Sequence, residues 1–209
     1  MPVSTDFNLG LEGIKMSRPR EFDYDKVLNQ LMLVFWLKGY KGTSLADLVE
    51  VSKLKKQSIY GAYGDKHAVF IKALRLYRMQ AMDSIQTLLN QEKSAIKTLE
   101  LWRANLLESG LNDCPKGCLI VNMALELGEE DPEAKIEIDA LFEDSERLLE
   151  EVIRRGQENS EITSQFPAKV IAQSLATTQH GIRVLEKTGA SPDKIKMILD
   201  YSIKSILAT

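Results

Sequence analysis

Apolar residues recur at helical spacing along almost the whole chain. Leu28, Leu31 and Phe35 stand three and four apart and build one apolar face. Asp23 or Asp25 can cap the helix they define, which is expected to run to about Lys38. Gly39 suits the left-handed position that ends a helix. Ser44, with Asp47 three residues on, is close to a capping box and opens a short second helix whose buried side is Leu45, Leu48 and Val49. A tight link at residues 52–54 leads to a short third helix over about 55–60. Gly64-Asp65 breaks the pattern, and a long helix follows from Lys66 towards Asn90. Beyond it the periodicity predicts helices at about 94–109, 117–127, 132–157, 167–187 and 192–208. Three of these open on proline, whose missing N–H is no loss in a first turn. No stretch alternates with period two for long enough to make a strand. The expected fold is all-α, with about nine helices. Residues 1–15 show no helical period and are expected to form a disordered tail, with Met16 as an alternative start.

Three short helices with a tight link between the second and third describe a helix-turn-helix. The run Gly39-Tyr40-Lys41-Gly42-Thr43-Ser44-Leu45-Ala46-Asp47-Leu48 carries its first part. Leu54-Lys55-Lys56-Gln57-Ser58-Ile59-Tyr60-Gly61-Ala62-Tyr63-Gly64-Asp65-Lys66 carries the rest. Together they resemble the amino-terminal signature of TetR/AcrR regulators over about fifty residues. The shared features are a Gly-Tyr, a Thr-Ser helix start, an aromatic-rich third helix and a Gly-x-Lys entering a long fourth helix. The resemblance implies a helix-turn-helix DNA-binding domain at 17–66, after a tail at 1–16, and a helical effector-binding and dimerisation domain at 67–209. It also implies a dimeric repressor released from a palindromic double-stranded operator by a small-molecule inducer. One position departs from the pattern. The link usually holds glycine, and here it holds Lys53. A non-glycine residue at positive φ costs on the order of 1 kcal/mol. Either the turn is rebuilt or Lys53 carries that strain and places a charge near phosphate.

The third helix is expected to expose Lys55, Lys56, Gln57, Ser58, Gly61 and Tyr63. Lys and Gln can hydrogen-bond guanine and adenine edges in a major groove, and Gly61 leaves room for close approach. Tyr60 and Tyr63 can pack or donate their hydroxyls to phosphate. Thr43 and Ser44 stand at a helix N-terminus, where free N–H groups attract phosphate. Lys66 resembles the family's phosphate-contacting lysine. Arg18 and Arg20 form a short arm that can reach a minor groove or can be plain solvated charge.

The charge is distributed in the same sense. Nine Lys/Arg stand against six Asp/Glu between Ser17 and Lys66, and seventeen against twenty-two from His67 onward, within a net charge of −3. A basic amino end on an acidic body suits one polyanionic partner. Two cysteines exclude a disulfide scaffold, and no apolar run approaches a membrane span. A cytoplasmic protein is expected, with no membrane partner. The chain lacks a phosphate-cradling loop, a nucleophile elbow and a His-Glu-x-x-His pair, and its two histidines supply little acid–base machinery. No enzyme activity, cofactor or metal is expected.

In TetR-like proteins the last two helices build the dimer. Here Val170, Ile171, Leu175, Ile182 and Leu185 form an apolar flank on one. Ile195, Ile198, Leu199, Ile206 and Leu207 form one on the other. Ala172, Ala176 and Gly181 allow close approach. These flanks can also pack within one subunit. The run from Cys114 to Asn122, followed by Asp131-Pro132-Glu133, resembles a pocket-proximal segment in one branch of the family. Trp102, Cys118, Met123, Phe142, Gln179 and His180 are candidate pocket residues, and the hydrophobic ones suit an apolar or aromatic inducer. Two alternatives stay open. Cys114 and Cys118 can serve a redox- or electrophile-responsive regulator, with Lys116 able to lower a thiol pKa if it lies close. A helical scaffold that has lost DNA binding is the reading from another class.

Overall fold

The computed structural model describes residues 22–109 and 117–208. Among them are nine helices: α1 (Tyr24–Gly42), α2 (Leu45–Ser52), α3 (Lys56–Tyr63), α4 (Lys66–Leu89), α5 (Ala95–Ser109), α6 (Leu119–Leu127), α7 (Pro132–Glu158), α8 (Ala168–Lys187) and α9 (Pro192–Lys204). No strand occurs among the described residues. One isolated antiparallel bridge joins Ile162 to Leu207. The tail at 1–16, the arm residues Arg18 and Arg20, and Cys114 lie outside the described residues.

Local side chains cap the N-termini of α1, α2, α4, α7 and α9. Asp23 accepts from the Lys26 N–H at 3.1 Å, while Asp25 sits in the first turn of α1. Ser44 and Asp47 form a full capping box: Asp47 N–H donates to Ser44 Oγ at 3.2 Å, and Ser44 N–H donates to the Asp47 carboxylate at 2.7 Å. Lys38, 2.5 Å away, and then Ser44 hold that carboxyl well below the usual carboxylate range. Asp65 and Asp131 cap α4 and α7, and Ser191 caps α9. Proline opens α7 and α9, whereas Pro167 stands one residue before α8. The start of α5 is closed from far along the chain. Glu161 accepts from the Ile96 N–H at 3.0 Å and from Ser94 Oγ at 2.9 Å, which keeps its carboxyl below the ordinary range.

Two buried clusters hold these helices together. The first gathers Leu31, Phe35, Leu48, Ile59, Phe70 and Leu119 with their neighbours, so it joins α1–α4 to α6 and the first half of α7. The second gathers Leu99, Trp102, Leu149, Ile153, Leu175 and Leu199 from α5, α7, α8 and α9. Met82 on α4 packs against both. Each fully buried side chain of this size contributes about 1.5–3 kcal/mol. Where α7 ends beneath α5, a Cβ on Gly156 would meet Ile162 at 2.6 Å and Ala95 at 2.7 Å, so the close crossing requires glycine.

Most expected helix limits agree with the structure within a residue or two. The exceptions have physical causes. The ladder of α1 continues to Gly42 across a break at Gly39, whose φ is 76°. The third helix runs three residues past the expected end, because Tyr63 packs inward. The last helix stops at Lys204. Beyond it Thr163 N–H donates to Ile206 O at 2.8 Å and Ala208 N–H to Glu161 O at 3.1 Å, tying the end of the chain to the loop before α8.

Candidate nucleic-acid interface

The link between α2 and α3 is strained, and it is well tied. Lys53 is left-handed (φ 58°, ψ 15°), and its N–H donates to Val49 O at 3.0 Å. Buried Ser52 donates its hydroxyl to Leu48 O at 2.7 Å and accepts the Leu54 N–H at 3.3 Å. Lys53 therefore adopts the glycine conformation, and its side chain is exposed.

Ile59 and Tyr63, one turn apart and both buried, pin the back of α3. That leaves Lys55, Lys56, Gln57, Ser58 and Gly61 exposed together, beside Lys53. The helix contains no acidic residue, and no side chain caps its N-terminus. A Cβ on Gly61 would meet nothing within 4 Å, so this part of the face is open surface. Tyr60 is half-buried, with Lys56 Nζ 5.4 Å from its ring centroid.

Four of the expected contact residues make contacts within the protein. Tyr63 is 1% exposed. Its ring stacks on Tyr24 at 4.4 Å, and its hydroxyl donates to Tyr24 O at 2.7 Å, so it faces the interior and offers nothing to phosphate. Thr43 is buried, and its hydroxyl is spent on Gly39 O at 2.6 Å. Ser44 is exposed, but its hydroxyl and N–H are engaged by Asp47, whose carboxylate already occupies the positive end of α2. Lys66 is half-buried, with Nζ 4.4 Å from the Tyr40 ring centroid, a cation–π contact within the protein.

The pocket candidates separate into smaller groups. Trp102 Nε1 donates to Gln179 Oε1 at 2.9 Å, and Phe142 lies 4.3 Å from the His180 ring. Burial holds His180 below the usual histidine value, opposed by Glu146 and aided by Arg183. Its Nε2 is buried without a hydrogen-bond partner. Cys118 is a buried free thiol that accepts from the Tyr77 hydroxyl at 3.2 Å. Burial and then Cys118 raise the Tyr77 pKa well above its ordinary value. Met123 belongs to the first cluster, away from Trp102 in the second. A groove of about 590 Å³ between α4 and α7, lined by Leu76, Met79, Met82, Arg147 and Leu148 among others, includes none of the six candidates.

On α8 and α9 the expected apolar flanks mostly face inward. Ile171, Leu175, Ile182, Ile195 and Leu199 are buried within the subunit, as are Ala172 and Ala176. Val170 of the expected flank and the small Gly181 are exposed on α8, together with Ser174 from outside that set, and so are Met197 and Tyr201 on α9, the last at 76%.

One feature was invisible to sequence reasoning. Glu126, near the end of α6, accepts from the Tyr40 N–H at 3.1 Å and the Lys41 N–H at 2.6 Å. Lys41 Nζ reaches Glu126 O at 3.3 Å and Glu130 at 2.9 Å, and His67 meets Asp131 at 2.8 Å. These partners stand more than sixty residues apart, and no local pattern announces them.

Residues 96–200 match the family model described as the tetracyclin repressor-like C-terminal domain. The HTH-type transcriptional repressor ComR of Escherichia coli K12 is 28% identical over 190 residues, which span 90% of each chain. An uncharacterised HTH-type transcriptional regulator of Bacillus subtilis, YezE, is 26% identical over 198 residues, covering 90% of this chain and 98% of the relative. Among solved structures, a cysteine mutant of the TetR family regulator CifR complexed with 26-bp operator DNA is 30% identical. The match has a TM-score of 0.81 and covers 91% of this chain and all of that one. No described helix is long and apolar enough to cross a membrane. The chain belongs to the TetR family of transcriptional regulators.

Proposed function

We propose that this protein is a homodimeric repressor that reads a palindromic operator with the exposed face of α3 and leaves it when a small-molecule effector occupies the body. In this reading residues 17–66 bind DNA, and residues 67–209 bind the effector and dimerise. The observation that carries it is the acid-free face of Lys55, Lys56, Gln57, Ser58 and Gly61, held outward by buried Ile59 and Tyr63. Lys56 and Gln57 suit base edges, and Lys53 and Lys55 suit phosphate. The similarity to ComR, named a repressor, and to CifR, solved on operator DNA, supports the same reading.

Dimerisation through α8 and α9 is supported by their exposed residues. Val170, Met197 and Tyr201 put apolar surface in water, while Ser174 and Gly181 leave room for a second helix. Such a patch suits a two-fold contact. For the effector, the Trp102–Gln179 and Phe142–His180 pairs combine aromatic faces with hydrogen-bonding groups. They suit an aromatic or apolar molecule that carries a polar substituent. Cys118, buried and bonded by Tyr77, does not favour a redox switch over this reading.

The test is selection of duplexes from a randomised DNA pool, followed by fluorescence anisotropy across a salt series. A palindromic site bound by two subunits is expected. Lys56→Ala or Gln57→Ala should weaken binding by roughly 1–3 kcal/mol and relax selectivity, with the dimer intact. Indifference to every duplex at low salt would establish the scaffold reading instead.

A further inference from the structure

The segment that ends α1 is built around a carboxylate from another part of the chain. Gly39 leaves helical geometry at φ 76°, and the next two N–H groups, those of Tyr40 and Lys41, both donate to Glu126. A Cβ on Gly39 would stand 2.3 Å from Glu126 Oε2, so a larger residue would displace the carboxylate, and the positive φ itself favours glycine. Glu126 is the penultimate residue of α6, a single rod of nine residues whose other end, at Cys118, meets Tyr77. Two contacts flank the carboxylate: the Lys41–Glu130 ion pair and the His67–Asp131 hydrogen bond, with Asp131 also capping α7. A cleft of about 490 Å³ lies between them, lined by Tyr40, Lys41, His67, Leu127, Glu130 and Asp131 among others. Across the joint, the donors Tyr40, Lys41 and His67 come from α1 and α4, and the acceptors Glu126, Glu130 and Asp131 come from α6 and the turn before α7.

The Lys41–Glu130 pair joins two exposed partners, and such a pair contributes little. The Glu126 contacts differ. They are charge-assisted, and they fix two successive amides with both carboxylate oxygens. On the reading that two copies bind a palindromic operator, we propose that Glu126 is a positioning residue. It sets the angle of the DNA-reading helices on the body, and so the distance between the two copies of α3 in a dimer. That distance must match half-sites about one helical turn, roughly 34 Å, apart. Glu126 does not touch DNA in this account. It acts through the direction in which Tyr40 and Lys41 hold α1 and α2.

The experiment uses the full chain and the duplex enriched from a randomised pool. It adds two derivatives of that duplex with one and two base pairs inserted at the centre, and a single half-site. The wild-type protein is expected to lose roughly tenfold or more in affinity on insertion. Glu126→Ala should bind the half-site as wild type does but lose less than about threefold on insertion, and Glu126→Gln, which keeps one acceptor oxygen, should fall between. A Glu126→Ala protein that discriminates spacing as wild type does overturns the proposal. So does one that binds the half-site poorly, because the carboxylate would then be holding the head's own fold. If Glu126→Ala does not fold, Glu126→Gln decides by the same two ratios. A wild-type protein that enriches no duplex overturns the operator reading and this proposal with it.

Discussion

The reading head and the body present opposite surfaces. On α3 the outward face is polar and basic, and the apolar residues Ile59 and Tyr63 are turned in. On α8 and α9 the inward face is equally apolar, but Val170, Met197 and Tyr201 also point out. Both regions bury enough to fold. What differs is what they leave over. A face of lysines and amides suits a polyanion, whose contacts are stronger than water's only through charge and directed hydrogen bonds. An apolar remainder on paired helices suits another protein surface that removes it from water. This contrast is what supports DNA as the head's proposed partner and a second copy as the body's.

The largest expected effects test whether head and body are one folding unit. Phe35 is fully buried in the first cluster, and Leu199 is fully buried in the second. Phe35→Ala should cost about 3–5 kcal/mol and Leu199→Ala about 2–5 kcal/mol. Because α4 runs through both clusters and Met82 touches each, both variants should shift the same single urea transition. Two separated transitions, one moved by each variant, would show that the head and body unfold independently.

A smaller effect separates strain from charge within the head. Lys53 holds a left-handed conformation that glycine would adopt freely, so Lys53→Gly relieves on the order of 1 kcal/mol. Glycine also adds freedom to the unfolded chain, which offsets part of the gain. The expected result is unfolding stability equal to or slightly above wild type. DNA binding should weaken on all sequences alike, and the salt slope should flatten by about one counterion. Unchanged DNA affinity and slope would mean that Lys53 holds the turn without meeting phosphate.

The same contrast explains what could be read before the structure was known. The head's helices, caps and turn follow from residues close in sequence: Ser44 with Asp47 three on, Leu31 with Phe35 four on, Gly64 directly before Asp65. Local patterns also bring Lys55, Lys56, Gln57 and Gly61 to one face. They could not show which aromatic turns in, because Tyr60 and Tyr63 differ only in what lies behind α3. Tyr24, thirty-nine residues earlier, takes Tyr63. Nor could they show that Thr43 spends its hydroxyl on Gly39 O, or that Lys66 lies over Tyr40. In the body the periodicity marked apolar flanks correctly as flanks, but a period of 3.6 does not say which side meets the subunit's own core. Ile171 and Leu175 do so, while Val170 does not. Glu126 stood outside every local pattern, since its partners are eighty-five and eighty-six residues away.

The smallest expected effect lies in the body, at His180. Burial lowers its pKa, against Glu146 and with Arg183, and its ring lies on Phe142 with Nε2 unpartnered. A lowered histidine is neutral in the folded chain, while the unfolded chain takes up a proton below about 6.5. Between the folded value and about 6.5 the unfolded state binds more protons. This contribution to stability is therefore whole above that window and declines as pH falls through it. The melting temperature of the wild-type protein should fall more steeply from pH 7 to pH 5 than that of His180→Phe, which keeps an aromatic ring against Phe142 and cannot titrate. Parallel slopes would mean that the imidazole is reached by solvent and charges at little cost. A steeper wild-type slope would place a neutral ring nitrogen inside the body, where an effector's polar group can supply the hydrogen bond that the protein leaves unmade.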